Sequence, residues 1–439
     1  MSAAANYHSI ADWIAREARV CALGADAQWH EAVDWLVTSL GTEVELLGLG
    51  EALHGGEEIL IFRNRLLQRL VEVHGFTAIA IESSFPRGRF ANEYVTGEVT
   101  PNGKPKFADF ESAAAAGVSH GFGKLAANRE LLEWMRAHNA DRPAGSKVHF
   151  YGFDQPAVEA APASPGELLR FVLEYLAQHD GVRAQTFRAR VEPRLGEDPK
   201  WENPMAWRDP ATSAELLAAA TELRIATEDL ISELRTRRPE FVASGDRTDY
   251  LAAIHYAATC RQYLKFFVEL AQGTDWAASL GVRDRIMADN LSFILERERG
   301  RGKVLVFAHN MHLQRGQAHW QIGPMECRWW PAGAQLAATM GRRFAVIGTA
   351  VGTSEENGIG IPEAGTLEAS LSTVDGAVRM LPTHFGKNLP DDAMARLPAR
   401  SASTKNPTYF PLSAESLANF DWLAAFAAVT YNRGGRPLA

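Results

Sequence analysis

The sequence predicts an α/β fold: a mostly parallel central sheet flanked by helices, with a large helical insertion forming a lid or subdomain. Three observations carry this. Short apolar runs recur at Val44–Gly50, Thr77–Ile81, Val148–Phe153, Val304–Ala308 and Phe344–Ala350. Each is continuous rather than alternating, the pattern of strands buried on both faces of a parallel sheet. Between the first two runs, Ile59, Phe62, Leu66, Leu67 and Leu70 fall at helical spacing within Glu57–His74, and Gly75 closes the segment, which makes one β-α-β unit. Between the third and fourth runs lie about 150 residues rich in Ala, Leu, Glu and Arg with almost no strand pattern, a helix-forming composition.

Within that stretch the pattern predicts helices at Pro165–His179, Ser213–Arg237, Thr248–Gln272 and Arg283–Arg299, with breaks at Glu197–Pro210 and Gly273–Gly281. The chain thus divides into an α/β core, 1–160 and 300–439, that carries the site, and an inserted helical subdomain, 161–299. After the fourth run, Gly316–Gly341 holds Trp320, Trp329 and Trp330 among glycines and prolines, a dense aromatic loop suited to lining a pocket. Gly352–Leu412 is rich in Gly, Pro, Ser and Thr and reads as long loops, and Ala414–Tyr431 as a final helical or strand-like stretch.

Composition narrows the class. With 46% hydrophobic and 22% charged residues among 439, disordered, collagen-like and coiled-coil chains are excluded. A net charge of −8, from 53 acidic against 45 basic residues, argues against a nucleic-acid partner. Cys21, Cys260 and Cys327 are far apart and form no C-x-x-C pair, so neither a zinc knot nor a redox dithiol is expected, and a reducing compartment is. Asp12, Arg16, Glu17 and Arg19 interrupt every apolar stretch near the N-terminus, unlike a secretion signal. No run reaches the roughly 18 apolar residues of a membrane span. The expectation is a cytoplasmic protein with no membrane partner.

The chemistry-bearing residues sit where the predicted strands end. Gly50-Glu51-Ala52-Leu53-His54-Gly55 follows the first strand, Glu82 ends the second, Asp154 the third, and His309 and His312 the fourth. In a parallel sheet these ends share one edge, where open α/β sheets place their sites, so four coincident ionisable ends predict a polar catalytic cleft. Imidazole and carboxylate can hold zinc or iron, but the H-x-x-H at 309–312 is not the i, i+4 helical pair of zinc proteases. General-base activation of water is the favoured chemistry, with an imidazole oriented by a carboxylate. Arg63 and Arg65 are candidates to meet the developing oxyanion, or else are solvated helix charges. Gly117-Val118-Ser119-His120-Gly121 matches the G-x-S-x-G nucleophile elbow, yet the preceding Phe110–Ala116 reads as helix or loop, whereas an elbow needs a strand. A helix follows at Leu125–Ala137. Individually, His255, Arg261, Arg283, Asp284 and Arg285 read as packing, capping or ion-pair residues.

Taken in order, the residues resemble the erythromycin esterase family. The resemblance runs through Gly50-Glu51-x-x-His54, Arg63, Gly75-Phe76-Thr77 leading to Glu82, Trp134-Met135-Arg136 with Asn139, and Gly152-Phe153-Asp154. It continues through His255-Tyr256-Ala257, Asp284-x-x-Met287-Ala288-Asp289, His309-Asn310-x-His312 and the strand from Met340-Gly341 to Gly348. It covers about 300 residues, from roughly 40 to 352. It implies an α/β core with a helical insertion that hydrolyses the lactone ester of 14-membered macrolides without metal or other cofactor, an antibiotic-resistance activity. His54 would be the general base, Glu51 and Glu82 would orient it and the water, and Arg63, His309 and His312 would hold the ester oxygen. Ala52-Leu53 replaces the small or polar residues that family members often carry before the histidine, and the C-terminal third matches poorly. A small lactone or ester is the implied partner. A macrolactone needs a wide, largely apolar pocket, for which Tyr250–Phe267 and Gly316–Trp330 are the available linings, with Asp154, His255, Trp329 and Trp330 as substrate-binding residues. The alternatives are a serine esterase using Ser119, a His/Glu metallohydrolase, and a non-catalytic lactone- or glycan-binding relative.

Overall fold

All five continuous apolar runs become neighbouring strands of a single sheet. The computed structural model describes residues 7–436 except 25–26, 159–160, 204, 207–208, 273–275, 323–324, 388 and 390–396. Its main sheet comprises β1 (Arg19–Cys21), β2 (Leu46–Glu51), β3 (Phe76–Ser84), β4 (His149–Asp154), β5 (Lys303–His309), β6 (Phe344–Thr353), β7 (Val378–Pro382) and β8 (Trp422–Ala428). The order is β1-β7-β8-β6-β2-β5-β3-β4. Pairing is parallel from β8 across to β4, and β7 runs antiparallel to both β8 and β1.

Successive strand residues point to opposite faces, so one apolar run feeds two cores. Leu47, Leu49, Ile79, Ile81, Leu305 and Phe307 pack with side chains of helices Ala27–Leu40, Glu57–Val73 and Ala126–Asn139. Leu46, Ala78, Ala80, Val304 and Val306 pack with those of helices Ile10–Glu17, Trp276–Glu298 and Ala332–Met340. Helices Gly166–His179, Gly181–Leu195, Pro210–Thr236 and Arg247–Gln272 close around a core of their own, built on residues such as Leu169, Leu176, Leu223, Leu230 and Phe267. On that separate core we propose 161–299 as an inserted subdomain. The last helix, Trp276–Glu298, touches both: Ile286 enters the helical core while Met287, Leu291 and Ile294 cover the sheet. No helix among the described residues is long and apolar enough to cross a membrane.

The departures from expectation lie mostly in the C-terminal third. The segment expected as long loops contains β7, whose apolar pattern is broken by Arg379; that side chain is buried and donates to the Val374 carbonyl. Ala414–Tyr431 contains both a helix, Ala414–Asn419, and β8. The tryptophan-rich connection is a hairpin, Ala318–Ile322 with Met325–Trp329, followed by helix Ala332–Met340. The break expected at Gly273–Gly281 is helical from Trp276 onward, and 273–275 lie outside the described residues.

Gly50 shows how tightly the carboxyl edge is built. A Cβ there would lie 2.1 Å from Asn310 Oδ1, and Asn310 ties the turn after β5 to β6 by donating to the Thr349 carbonyl (2.9 Å) and accepting from its N–H (3.1 Å). We predict that Gly50→Ala lowers unfolding free energy by about 2 kcal/mol or more, the cost of overpacking. Gly145→Ala, with nothing within 4 Å of the new Cβ, stays within about 0.5 kcal/mol. Urea unfolding of both variants checks this; equal midpoints would contradict it.

Candidate active site

At the carboxyl edge, β2, β5, β3 and β4 release Glu51, His309, Glu82 and Asp154 side by side, with Glu51 paired in register to His309. His54 lies in the turn after β2. Its Nδ1 is 2.6 Å from Glu51 Oε1, and since a carboxylate only accepts, Nδ1 carries the proton and Nε2 keeps its lone pair. The turn is pinned from the C-terminal third: the His54 N–H donates to Thr408 Oγ1 (3.0 Å), and Asn406 Nδ2 donates to the His54 carbonyl (2.9 Å). Burial works against a charged His54, but Glu51 and then Glu82, whose Oε1 is 4.0 Å from Nε2, outweigh it and raise its pKa.

Glu82 is buried at the centre. Its Oε2 accepts from the His309 N–H (2.9 Å), and its Oε1 accepts from Arg283 Nη2 (2.9 Å) and lies 3.4 Å from His312 Nε2. Burial alone would raise its pKa, yet His312, His54 and Arg283 hold it well below the usual range. His312 Nδ1 meets Asp284 Oδ1 at 2.9 Å. Burial opposes its charge, but Asp284 and Glu82 raise it to about 10, so His312 is an imidazolium at neutral pH. His309 is the opposite case: its Nε2 donates to the Thr408 carbonyl (2.7 Å), its Nδ1 accepts from the Met311 N–H (3.2 Å), and burial with nearby His54 lowers its pKa to about 3. Asp154 is fully buried and held low against that burial by Arg283 and His120. Arg283 grips it at 2.9 and 2.6 Å.

Arg63 lies beneath. Its guanidinium donates to Asn64 Oδ1 (3.1 and 2.7 Å), stacks 4.8 Å over Phe307, and lines a small cavity with Glu51 and His54. Burial lowers its pKa to about 10, which leaves it cationic. Arg65, by contrast, borders neither that cavity nor the cleft. Four carboxylates, Glu51, Glu82, Asp154 and Asp284, therefore surround three cations, Arg63, Arg283 and His312.

Above this floor opens a cleft of about 660 Å³. His54, Glu82, His120, Arg283, His309 and His312 form its polar part, and Phe122, Phe266, Leu270, Trp276, Trp320 and Tyr431 its walls. Three expected substrate contacts lie elsewhere. His255 is half-buried, meets Asn290 Oδ1 (2.8 Å) and stacks flat on Phe293, and desolvation lowers its pKa to about 4. Trp329 is buried and donates from Nε1 to Asp284 Oδ2 (2.7 Å), bracing the carboxylate that charges His312. Trp330 is 60% exposed and outside the cleft. Asp154 contacts Arg283 and His120 and does not itself line the cleft.

In the sequence Arg283 and Asp284 read as bland helix charges and His120 carries no role, yet all three complete the polar set. Adjacent residues on a helix point about 100° apart, which lets Arg283 reach Glu82 while Asp284 reaches His312. Their spacing alone marks only an Arg-Asp-Arg run on a helix, and Asp284 is otherwise signalled by its place in the family resemblance. Among the described residues no group of three His, Cys, Asp or Glu side chains is arranged to hold a metal ion.

The erythromycin esterase family model matches residues 71–428. The chain belongs to the erythromycin esterase family. Among curated relatives, the type II erythromycin esterase of Escherichia coli is 22% identical over 313 residues, 70% of this chain and 68% of that one. The type I enzyme of Escherichia coli is 22% identical over 287 residues, 64% of each chain. Solved structures share the fold. A Bacillus cereus protein superposes with a TM-score of 0.69 at 18% identity, covering 97% of this chain and 98% of that one. A succinoglycan biosynthesis protein gives 0.67 at 18%, again covering 97% and 98%. A mutant erythromycin esterase in its open conformation gives 0.62 at 17%, covering 90% and 93%.

In this family member Ser119 is built into the scaffold. Helix Phe110–Gly117 precedes it where an elbow needs a strand, and its buried Oγ accepts from the Ser84 N–H (2.9 Å) and contacts Ser83 Oγ (3.1 Å). We predict that Ser119→Ala costs about 1–2 kcal/mol of stability, from the buried N–H it strands, and leaves kcat within about threefold of wild type, against the roughly 10⁶-fold loss of a removed serine nucleophile. Turnover and melting of the one variant test both halves; abolished turnover at unchanged stability would reverse the assignment.

Proposed function

We propose that the protein hydrolyses carboxylic esters, that His54 activates the attacking water, and that a macrolactone is its substrate. The observation that carries this is the short Glu51–His54 contact, with the unprotonated Nε2 left open to the cleft. A water at Nε2 gives up its proton as its oxygen attacks the ester carbon, and Glu51 stabilises the imidazolium that forms. Glu51 and Glu82 raise the basicity of His54, so the neutral ring takes the water's proton more readily. The His312 and Arg283 cations supply a positive field for the carbonyl oxygen as it becomes an anion. His309, neutral and doubly hydrogen-bonded, shapes the floor.

For the substrate, a cleft of about 660 Å³ lies within the roughly 300–1,000 Å³ of small-molecule sites. Its polar floor beneath aromatic walls suits a large, mostly apolar lactone. The names of the type I and type II relatives point the same way. The chemistry above uses protein side chains and water alone, so we propose that it needs no metal.

Purified protein incubated with 14-membered macrolides and simple esters should convert at least one of them to a product heavier by one water. Activity should survive exhaustive chelation, and His54→Ala should lose about 10³-fold or more in kcat. No product from any lactone or ester would overturn the proposal, and activity lost to chelator and restored by one divalent ion would replace its mechanism.

The pH dependence has a definite sign. His54 acts as a neutral base, so kcat/KM rises with pH through its pKa, which lies above the ordinary 6.5. Glu51→Gln removes the larger of the two carboxylate effects and lets burial count for more. The acid limb then moves to lower pH while the plateau falls about 10- to 100-fold. A pH–rate profile checks it; an unmoved acid limb would contradict the role given to Glu51.

A further inference from the structure

Hydrolysis needs protons handled at both ends of the reaction. His54 takes one from water, but the leaving oxygen of a lactone or alkyl ester departs as a strongly basic alkoxide and must receive one. Four histidines line the cleft. His309 has both ring nitrogens engaged, by the Thr408 carbonyl and the Met311 N–H. His312 lies between Asp284 and Glu82, which hold its protons tightly. Two ring nitrogens of the four have no hydrogen-bond partner among the described residues: Nε2 of His54 and Nδ1 of His120.

We infer that His120 is a second catalytic histidine, the general acid that protonates the leaving oxygen. This rests on the hydrolase reading above. His120 Nε2 is 3.0 Å from Asp154 Oδ2, and the carboxylate accepts its proton, so Nδ1 is the nitrogen available to a ligand in the cleft. In the imidazolium, Nδ1–H is the transferable proton and Asp154 stabilises the charge. The backbone at His120 has φ +62°, a left-handed conformation that few non-glycine residues adopt and that clusters at functional sites. His54 and His120 pack against the same ring, their centroids 5.4 and 5.7 Å from that of Phe122. Arg283 Nη2 joins Asp154 to Glu82, so base and acid sit at two ends of one charge network.

The step balances. Water's oxygen bonds to the acyl carbon as its proton passes to His54 Nε2. When the C–O bond of the tetrahedral adduct breaks, its electron pair goes to the leaving oxygen, which takes the proton from His120 Nδ1. His54 then releases its proton to solvent and His120 regains one, so one water is consumed and neither residue is changed.

The test compares two leaving groups. His120→Asn keeps a side chain that tolerates positive φ. It should lower turnover of a 14-membered macrolactone about 100-fold or more. A p-nitrophenyl ester, whose phenolate leaves without a proton, should lose at least about tenfold less than the macrolactone. If His120→Asn does not accumulate as folded protein, His120→Gln should show the same split. Equal losses on both substrates would make His120 structural and overturn the inference, and so would undiminished lactone turnover. Wild-type enzyme that cleaves the activated ester but no lactone or alkyl ester lacks a leaving-group acid and overturns it as well. Wild-type enzyme that cleaves neither sinks the hydrolase reading, and this inference with it.

Discussion

The buried carboxylate of Glu82 is the contact on which the rest of the site depends. It leaves the end of β3, accepts the N–H of His309 at the end of β5, and meets Arg283 from the long helix that covers the sheet. It also stands between His312 and His54. A carboxylate so buried is tolerable only when paired and hydrogen-bonded on every side. The cations around it are in turn fixed by Asp154 and Asp284, so the network holds together as one unit. Breaking a buried pair of this kind by removing one partner typically costs about 3–5 kcal/mol. Such a network fixes the polar groups of the cleft relative to one another through the same contacts that hold the sheet edge to its covering helix.

Charge placement explains why four histidines in one cleft have different characters. His312 lies between two carboxylates and stays charged, while His309 lies against a carbonyl and a backbone N–H and stays neutral. His54 has one carboxylate in contact and a second at a distance, which raises its basicity and still leaves a nitrogen open. The distinction arises from the partner at each nitrogen, since all four rings share the same cleft.

How much of this is legible in the amino-acid sequence follows from the physics of each element. The parallel strands are readable because burial on both faces leaves continuous apolar runs. Their ends align, so Glu51, His54, Glu82, Asp154, His309 and His312 group together on the pattern of residues alone. Arg283 and Asp284 do not, because a charged pair on a helix looks the same whether it meets solvent or a buried carboxylate. The strap at 406–408 is hidden for a different reason. Asn406 and Thr408 hold His54 and His309 partly through backbone atoms, and no side-chain pattern announces a carbonyl. Trp329 reads as a substrate contact because aromatic density marks pockets and cores alike, and only its bond to Asp284 separates the two roles. β7 escapes notice because its buried Arg379 interrupts the apolar run.

The central claim is that Glu51 fixes the His54 imidazole with its proton on Nδ1 and makes Nε2 the base. The most direct measurement is a pH titration of ¹⁵N-histidine-labelled protein by NMR, with the His54 signals assigned by their loss in His54→Gln. The account predicts a neutral ring protonated at Nδ1 and a pKa above that of an ordinary histidine. A neutral ring protonated at Nε2, or a pKa depressed below the ordinary value, would contradict it.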